Sequence, residues 1–330
     1  MTGPSLKIKR TTAALTFFNH LDHLLARLAY KRNQHTVEQG LYSIGDPDKS
    51  SSVFVTANYT LSFDKLRQAL KSIDGYIIVL DTKGINVWCA AGKGTFGTDE
   101  LIRQIENTNL KEIIDHRTLI VPQLGAAGIS AHEVKKRSGF KVEYGPIRAD
   151  DLPEYLVKHK AYPAMRKVEF GILERASLIP VECINSIILF IISVLILSAL
   201  SGFQGVVLTV AAFLTGLILF PLLFPYLPGK DFSVKGFILG FVIGLILLYI
   251  QLQNSDDQIY WLIILNAISS IMVFTALSGF LALNFTGSTP FTSKSGVKRE
   301  IFRYIPKMAW TAGLGIAGFM YILVHRVFIG

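Results

Sequence analysis

Cysteine is the residue type most able to do chemistry in this chain of 330 residues. The chain contains two cysteines, Cys89 and Cys183. Two cysteines cannot build a disulfide framework, and they are too few for an iron–sulfur cluster with its usual set of about four cysteine ligands. Cys89 follows Trp88 in a segment bounded by glycines. A free cysteine is usually a small buried hydrophobic residue, whereas a thiolate is a metal ligand or a nucleophile. Residue type alone favours the buried residue and leaves the other roles open.

Glycines beside Cys89 resemble two phosphate-binding motifs without matching either. The segment Gly92–Thr95 looks like a P-loop, but the motif requires a glycine where Val87 stands and a serine or threonine where Gly94 stands. Gly92, Gly94 and Gly97 have the spacing of a dinucleotide-binding loop. The motif also needs an acidic residue about 20 positions further on, and the nearest candidate here lies in a polar segment. An NTPase is therefore rejected, and dinucleotide binding is kept as a weak alternative.

Histidines show no spacing typical of a metal site. No G-x-S-x-G nucleophile elbow accompanies them, although a Ser-His-Asp triad from distant residues stays open. We expect those in the N-terminal half to be ordinary exposed or helix-capping residues: His20, His23, His35, His116, His132 and His159.

The elements that position these residues belong to an α/β domain. Short apolar, β-branched runs alternate with helical patterns, which predicts a parallel sheet covered on both faces. The predicted strands are Val53–Ala57, Tyr76–Leu80, Thr118–Val121 and Phe140–Tyr144, and the predicted helices are Phe63–Ile73, Thr98–Asn107, Ser130–Ser138 and Leu152–His159. Ligands of such sheets bind beyond the carboxyl ends of the strands, where this sequence is rich in glycine. Because glycine lets the backbone approach a ligand closely, these loops favour a broad, flat ligand.

A membrane region follows the α/β domain. Residues 184–229 contain no charged side chain, and only 17% of the whole chain is charged. Five segments are long and apolar enough to cross a bilayer: about 182–201, 204–227, 236–252, 259–284 and 308–327. No ionisable residue lies in the middle of a span, which favours an anchor over a transporter.

Charged residues around these spans predict their orientation. The loop after the second span contains Lys230 and Lys235, and the loop before the fifth span is also basic, whereas the loop between the third and fourth spans contains Asp256 and Asp257. With no secretory signal at the N-terminus, the positive-inside rule places the α/β domain in the cytoplasm and the protein in the cytoplasmic (inner) membrane. Because many basic residues flank the spans, the net charge of +9 does not indicate a nucleic-acid partner.

The segment Asn86–Lys93 carries a resemblance to a known family. It resembles the N-[VI]-W-C-A-[AG]-G-K signature of HgcA, the corrinoid protein family of mercury methylation, and matches it throughout. The order of a soluble domain and several spans is similar as well. The soluble domain also resembles the corrinoid domain in the large subunit of the corrinoid iron–sulfur protein of acetyl-CoA synthesis. The predicted organisation is an N-terminal extension (1–50), a Rossmann-like corrinoid-binding domain (51–165), a linker (166–180) and a five-helix transmembrane domain (181–330).

The resemblance implies a role for each residue of this segment. Cys89 would be the lower axial ligand of the corrinoid's cobalt, and Asn86 and Trp88 would position a cap helix region beneath the ring. Lys93 would either assist deprotonation of the thiol or remain a solvated charge. The cofactor-binding segment is Asn86, Val87, Trp88, Cys89, Ala90, Ala91, Gly92 and Lys93, and the placement of the loops adds Thr60, Gly125, Gly128 and Gly145 as ring or tail contacts.

The activity implied is a corrinoid-dependent methyltransferase that forms methylmercury from Hg(II). A thiolate trans to methyl favours transfer of methyl with its electrons, which an electrophile such as Hg(II) needs. An HgcB-like ferredoxin would then reduce the cobalt, and a folate-type pathway would supply methyl. Cys183 would relay Hg(II) or, more in keeping with an isolated cysteine, have a structural role. The alternatives are a membrane-anchored corrinoid methyl carrier in one-carbon and acetyl-CoA metabolism, and a non-enzymatic membrane sensor that binds a nucleotide.

Overall fold

Two compact units make up the chain, Met1–Val168 and Glu169–Gly330, and each is described by itself. The computed structural model describes residues 8–28, 30–31, 34–253 and 260–328. The predicted acidic loop with Asp256 and Asp257 lies outside the described residues.

The first unit contains a six-stranded mixed sheet. Its strand order is β1-β2-β4-β3-β5-β6, in which β2 runs antiparallel to β4 and every other neighbouring pair is parallel. Within the parallel part, β3 lies between β4 and β5. The order of strands therefore runs to one side of β3 first and then to the other side. The strands are β1 (Lys9–Thr11), β2 (Gly40–Ile44), β3 (Ser52–Ala57), β4 (Gly75–Leu80), β5 (Thr118–Val121) and β6 (Lys141–Tyr144).

Helices cover both faces of this sheet, as the continuous apolar runs predict. Every residue of β4 is buried. Val55 and Ile78 pack on one face with α3, α4 and α6, whereas Phe54 and Ile77 pack on the other with α2 and α7. The helices of this unit are α1 (Phe17–Arg27), α2 (Thr60–Ala69), α3 (Val87–Lys93), α4 (Thr98–Asn107), α5 (Leu110–Ile113), α6 (Ala131–Ser138) and α7 (Leu152–Lys158). The predicted α/β class is confirmed, although the sheet is mixed where a parallel one is predicted.

The predicted N-terminal extension, residues 1–50, contributes to this sheet. Strand β2 pairs with β4 over five residues, from Gly40 opposite Val79 to Ile44 opposite Gly75. The helical and strand patterns of this segment are short and interrupted by polar residues, so its pairing depends on contacts that are distant in sequence. The sheet therefore begins well before the predicted boundary at residue 51.

His35 is buried, with 5% of its surface exposed, so the prediction of an ordinary exposed histidine is wrong there. Its Nδ1 lies 2.7 Å from Asp22 Oδ1, and its Nε2 lies 2.6 Å from the carbonyl oxygen of Tyr30. The Thr60 amide donates to the His35 carbonyl, which holds this segment against the start of α2. The ion pair with Asp22 makes the burial of this polar ring tolerable.

The second unit is helical. Four helical segments of this unit, within the described residues, have the length and apolar composition needed to cross a membrane. The count rises to five if one bent pair of helices is taken as a single span. The helices are α8 (Ile172–Ala176), α9 (Ile179–Asn185), α10 (Ile187–Ser201), α11 (Phe203–Leu214), α12 (Phe220–Leu223), α13 (Phe232–Gln253), α14 (Tyr260–Phe285) and α15 (Lys294–Phe328), with a π-helical turn (Thr215–Leu219) joining α11 to α12.

Two of the predicted spans differ from the helices observed. The first, 182–201, is interrupted at Ser186, whose amide donates to both the Glu182 and Cys183 carbonyls, and the helices on either side are bent by 60°. The fifth, 308–327, is part of the much longer α15, which begins at Lys294 and contains Pro306. The turns before Pro306 are helical but carry many charged side chains, so an apolar pattern does not predict them as part of a span.

Candidate functional site

A cavity of about 310 Å³ opens at the carboxyl ends of the parallel strands. It lies where β3 and β5 adjoin, which is the place where the chain changes direction across the sheet and where such sheets bind ligands. Helix α2, the start of α3 and the loop after β6 complete its walls. Its lining is mostly apolar and includes Phe54, Val55, Thr56, Ser62, Lys65, Leu66, Asn86, Val87, Trp88, Ile120, Pro122, Leu124, Gly145, Pro146, Ile147, Ala149 and Leu152.

Helix α3 holds Cys89 beside this cavity. The side chain of Asn86 caps the helix by accepting a hydrogen bond from the Cys89 amide at 2.9 Å. Gly94 ends the helix in the left-handed conformation, with φ of 85°, which glycine adopts without strain. Asparagine before a helix and glycine after it are typical end signals, and they define a helix whose interior contains tryptophan, cysteine and glycine.

The two sides of α3 have different surroundings. Val87, Ala90 and Ala91 are buried in the core, at the spacing of one helical face. Trp88 and Gly92 are exposed on the other face and Cys89 is half-buried there. The thiol is therefore presented on the outer face of a helix whose inner face is fixed in the core.

The loop before α3 is fixed by Asn58, which follows β3. Asn58 Oδ1 accepts hydrogen bonds from the amide of Thr82 (3.0 Å), the hydroxyl of Thr82 (2.8 Å) and the amide of Gly84 (3.1 Å). Asn58 Nδ2 donates to Asp81 Oδ1 at 3.2 Å. The Thr82 hydroxyl oxygen also lies 2.6 Å from the carbonyl oxygen of Ile85, so its single proton is shared between two acceptors. One buried amide side chain thus shapes the segment that leads to Cys89.

Glycines bring the loop after β5 against α3. A Cβ atom on Gly128 would lie 2.1 Å from the carbonyl oxygen of Phe96 and 3.0 Å from the Cα of Ala91. A Cβ atom on Gly125 would lie 2.5 Å from the Phe96 ring. Both contacts are closer than any side chain permits, so these glycines serve the packing of α3 on its neighbours.

The structure brings only some of the predicted site residues together. Asn86, Val87, Trp88 and Gly145 line the cavity. Cys89, Gly92 and Lys93 are on α3 but outside that lining. Four predicted ligand contacts have their side chains or Cα atoms in packing contacts instead: Ala90, Ala91, Gly125 and Gly128.

Thr60 and Cys183 lie outside this cluster. Thr60 is the first residue of α2, and its amide donates to the His35 carbonyl. Cys183, in the second unit, packs against the apolar side chains of Phe213, Leu217 and Leu281. These surroundings favour the structural role of Cys183.

Sequence reasoning misses Asn58 and Thr82, which position the site, and Ser62, Lys65 and Leu66, which line it. Asn58 and Thr82 each stand just beyond a buried strand, where a buried polar residue is a signal for a site. The residues of α2 give no such signal, because they become part of the site only when α2 packs beside β3. Lys65 also pairs with Asp150 across the cavity mouth, at 2.8 Å.

Helix α3 has free space at two of its glycines. A Cβ atom added to Gly92 or to Gly94 would meet no other atom within 4 Å, so nothing crowds the outer face of α3. Among the described residues, no three His, Cys, Asp or Glu side chains form a group that could hold a metal ion. The site therefore combines a half-buried thiol on the outer face of α3 with an adjacent apolar cavity.

The family model that matches this chain does so within the first unit. Residues 22–156 match the family model of the CO dehydrogenase/acetyl-CoA synthase delta subunit. The acetyl-CoA decarbonylase/synthase complex subunit gamma of Methanopyrus kandleri is 36% identical over 129 residues, which are 38% of this chain and 28% of that protein. The same subunit of Archaeoglobus fulgidus is 33% identical over 37% of this chain and 26% of its own length. The corrinoid/iron-sulfur protein large subunit of Moorella thermoacetica is 27% identical over 45% of this chain and 33% of its own length.

These similarities support the predicted relation to corrinoid-binding proteins. The chain spans about a third or less of the length of the relatives it matches. None of these three relatives is named for mercury. Their names agree better with the predicted alternative, a methyl carrier of acetyl-CoA metabolism, than with mercury methylation.

Proposed function

We propose that this chain is a membrane-anchored corrinoid protein that carries a methyl group, with Cys89 as the lower axial ligand of cobalt. The observation that carries the proposal is the placement of Cys89 on the open outer face of α3, beside a cavity at the strand ends. Relatives of the first unit are named for a corrinoid/iron-sulfur protein and for acetyl-CoA decarbonylase/synthase subunits. When bound, the corrinoid supplies a cobalt ion that accepts a methyl group from a donor and passes it to an acceptor.

The residues of the chain would divide the work of holding this group. The Cys89 thiolate would be the metal ligand, and Trp88 with Gly92 would form the surface against the ring. The cavity lined by Val87, Gly145 and α2 would take the tail. Asn58 and Asn86 would fix the backbone that presents the thiolate, because their side chains accept hydrogen bonds from the amides of this segment.

We propose Hg(II) as the methyl acceptor. A thiolate donates more electron density to a metal than a hydroxyl or a neutral imidazole does, and the axial ligand is the main means by which a protein adjusts a metal cofactor. A corrinoid held by the Cys89 thiolate would supply a methyl group that leaves with both bonding electrons, as a carbon–mercury bond to Hg(II) requires. The cobalt would be left oxidised, so an external reductant would be needed before it could accept another methyl group. With two cysteines this chain lacks the ligands of an iron–sulfur cluster, so a ferredoxin-like partner is proposed as the electron donor.

An anoxic methylmercury assay tests the cysteine and the acceptor together. The full chain, in lipid with methylated corrinoid and a reduced ferredoxin, is given Hg(II), and Cys89→Ala is compared with Cys183→Ala. Loss of a side chain that only hydrogen-bonds a metal ligand lowers metal affinity or activity by up to about 100-fold. Cys89→Ala removes the proposed ligand itself and is therefore expected to lower methylmercury formation by at least that factor. Cys183→Ala, the matched control, should keep most of the activity, and both variants should fold. Full activity of Cys89→Ala would refute the ligand assignment.

The second candidate is a methyl carrier of acetyl-CoA metabolism, which the relatives' names favour. In that case the acceptor is a protein of an acetyl-CoA synthase complex. A chain loaded with isotopically labelled methyl distinguishes the two. Transfer to such a complex, with no methylmercury formed in its absence, would select the second candidate, and a chain that binds no corrinoid would contradict both.

A further inference from the structure

Helix α1 turns its apolar side toward the outside of the first unit. Four large side chains form one stripe along it, with exposed fractions of 75% (Phe17), 76% (Phe18), 40% (Leu21) and 53% (Leu24). Their spacing places them within one face of the helix. Ala26 is the one residue of α1 that is fully buried. Ordinary surface helices have the opposite arrangement, with the apolar stripe toward the core.

Polar contacts on the opposite side fix this orientation. His23 Nε2 lies 2.7 Å from Asp64 Oδ2, and Asn19 Oδ1 accepts a hydrogen bond from Arg67 at 3.1 Å. Asp64 and Arg67 are buried on α2 and pair with each other at 2.6 Å. Rotating α1 to bury its apolar stripe would take His23 away from Asp64 and Asn19 away from Arg67, so two buried charged groups would each lose a hydrogen-bonding partner, which is costly. The stripe is therefore held outward by the structure.

Basic residues accompany the stripe. By helical periodicity His20 and Arg27 border it along one side, and both are exposed. Lys31 follows just beyond the helix, with its ammonium group 5.5 Å from the ring centre of the exposed Tyr30. The only acidic residue of α1, Asp22, is paired with His35. Phenylalanine and leucine on one face with bordering arginine and lysine are the composition of helices that lie in a membrane surface.

We propose that α1 lies in the surface of an anionic phospholipid bilayer, with Phe17, Phe18, Leu21 and Leu24 among the acyl chains and Arg27 and Lys31 at the phosphates. The proposal rests on the proposed membrane location, for which the second unit offers four or five helices of sufficient length. A lipid surface fits better than a protein partner because the stripe is apolar and is bordered by the positive charges of Arg27 and Lys31.

This contact would reach the candidate site through α2. Helix α1 is joined to α2 by His23–Asp64 and by Arg67. Ser62, Lys65 and Leu66, which alternate with Asp64 and Arg67 along the same turns of α2, line the cavity. Lipid binding by α1 would thus hold the wall of the cavity at a set height above the bilayer.

Nitroxide labelling of the full chain in lipid nanodiscs tests this proposal. Leu21→Cys, in a chain that also carries Cys89→Ala and Cys183→Ala, receives a spin label at the centre of the stripe. Glu106→Cys, exposed on α4, receives the same label as the matched control. Collision rates are measured with oxygen, which concentrates in acyl chains, and with a water-soluble nickel chelate. In nanodiscs containing phosphatidylglycerol, the ratio of oxygen to nickel collisions at position 21 should exceed that at position 106 several-fold.

Two further variants identify the source of the effect. Phe17→Ser with Phe18→Ser should lower the ratio at position 21 toward the control value, without changing the thermal unfolding midpoint, because both rings are exposed. Arg27→Glu should lower it with phosphatidylglycerol and much less with phosphatidylcholine alone. Equal ratios at positions 21 and 106 would overturn the proposal, and so would a label shielded from both reagents, which indicates a covering protein or a second copy. A chain that does not enter nanodiscs at all would instead contradict the proposed membrane location.

Discussion

Replacing Asn58 with alanine should loosen the segment that presents Cys89. The substitution removes the one acceptor shared by the Thr82 amide, the Thr82 hydroxyl and the Gly84 amide. Thr82 and Gly84 are buried, so two main-chain N–H groups lose their partner within the protein. Each such loss costs about 1–3 kcal/mol, and partial entry of water brings the expected total to about 2–4 kcal/mol. Because 1.4 kcal/mol corresponds to a factor of ten, opening of the loop should become about 30-fold more frequent or more.

Hydrogen–deuterium exchange of the full chain in lipid measures this directly. Peptides that contain residues 81–90 should exchange about 30-fold faster in Asn58→Ala, whereas peptides from β4 should change much less. Asn107→Ala, exposed on α4, is the matched control and should behave as the parent chain. Unchanged exchange at residues 81–90 in Asn58→Ala would refute the claim that one side chain fixes this loop. An equal increase throughout the first unit would show that Asn58 supports the whole domain instead.

Three further predictions concern the ligand surface and the N-terminal segment. Gly128→Ala should lower the unfolding midpoint of the first unit because its Cβ atom would meet main chain at 2.1 Å. Gly92→Ala should not lower that midpoint, since alanine is the better helix former, but it should weaken corrinoid binding, as measured by retained absorbance. Equal effects of the two would contradict the packing assignment. Trp88→Ala should weaken corrinoid binding by roughly tenfold, because Trp88 is exposed on the outer face of α3 and lines the cavity, and unaltered binding would remove Trp88 from the ligand surface. Although burial opposes its charge, hydrogen bonds to Asp22 and a main-chain carbonyl raise the pKa of His35 above 6.5. The stabilisation from charged His35 is thus fully present below pH 6.5 and is lost as the pH rises through the raised pKa. The midpoint difference between the parent chain and His35→Gln should shrink over that rise, and a pH-independent difference would exclude the charge as its cause.

The fold of the first unit is predictable wherever the apolar pattern is long and regular. Strand Thr118–Val121 and helix Thr98–Asn107 have the predicted bounds. In contrast, β2 is found only through its antiparallel pairing with β4, which is a contact between distant residues. Helix α3 is equally hard to predict from propensity, because tryptophan, cysteine and glycine are poor helix formers. Its caps, Asn86 and Gly94, are the local signals that were present and that outweigh this propensity.

The candidate site is predictable only in part, for a related reason. The resemblance around Cys89 and the rule that ligands bind at strand ends both lead to the same edge of the sheet. They do not separate a residue that faces a ligand from one that faces the core. Ala90 and Ala91 illustrate the difference, because they are buried in the core although Trp88 and Gly92, in the same short helix, are exposed. The distinction requires the packing of α3 against Gly128, which a single sequence does not contain.

The hydrogen bond that Cys89 makes to Asn86 uses the main-chain amide of Cys89 and leaves the side chain uninvolved. The backbone at position 89 is consequently set by its neighbours and by Asn58, whatever residue occupies it. Histidine, methionine, serine or threonine introduced at this position would stand on the same scaffold, on the same exposed face of α3. The first unit is therefore a natural host for a series of candidate ligands at one position, in which the donor atom changes while the backbone that carries it stays fixed. Such a series would let the effect of the side chain at position 89 on cofactor binding be measured apart from any rearrangement of the backbone.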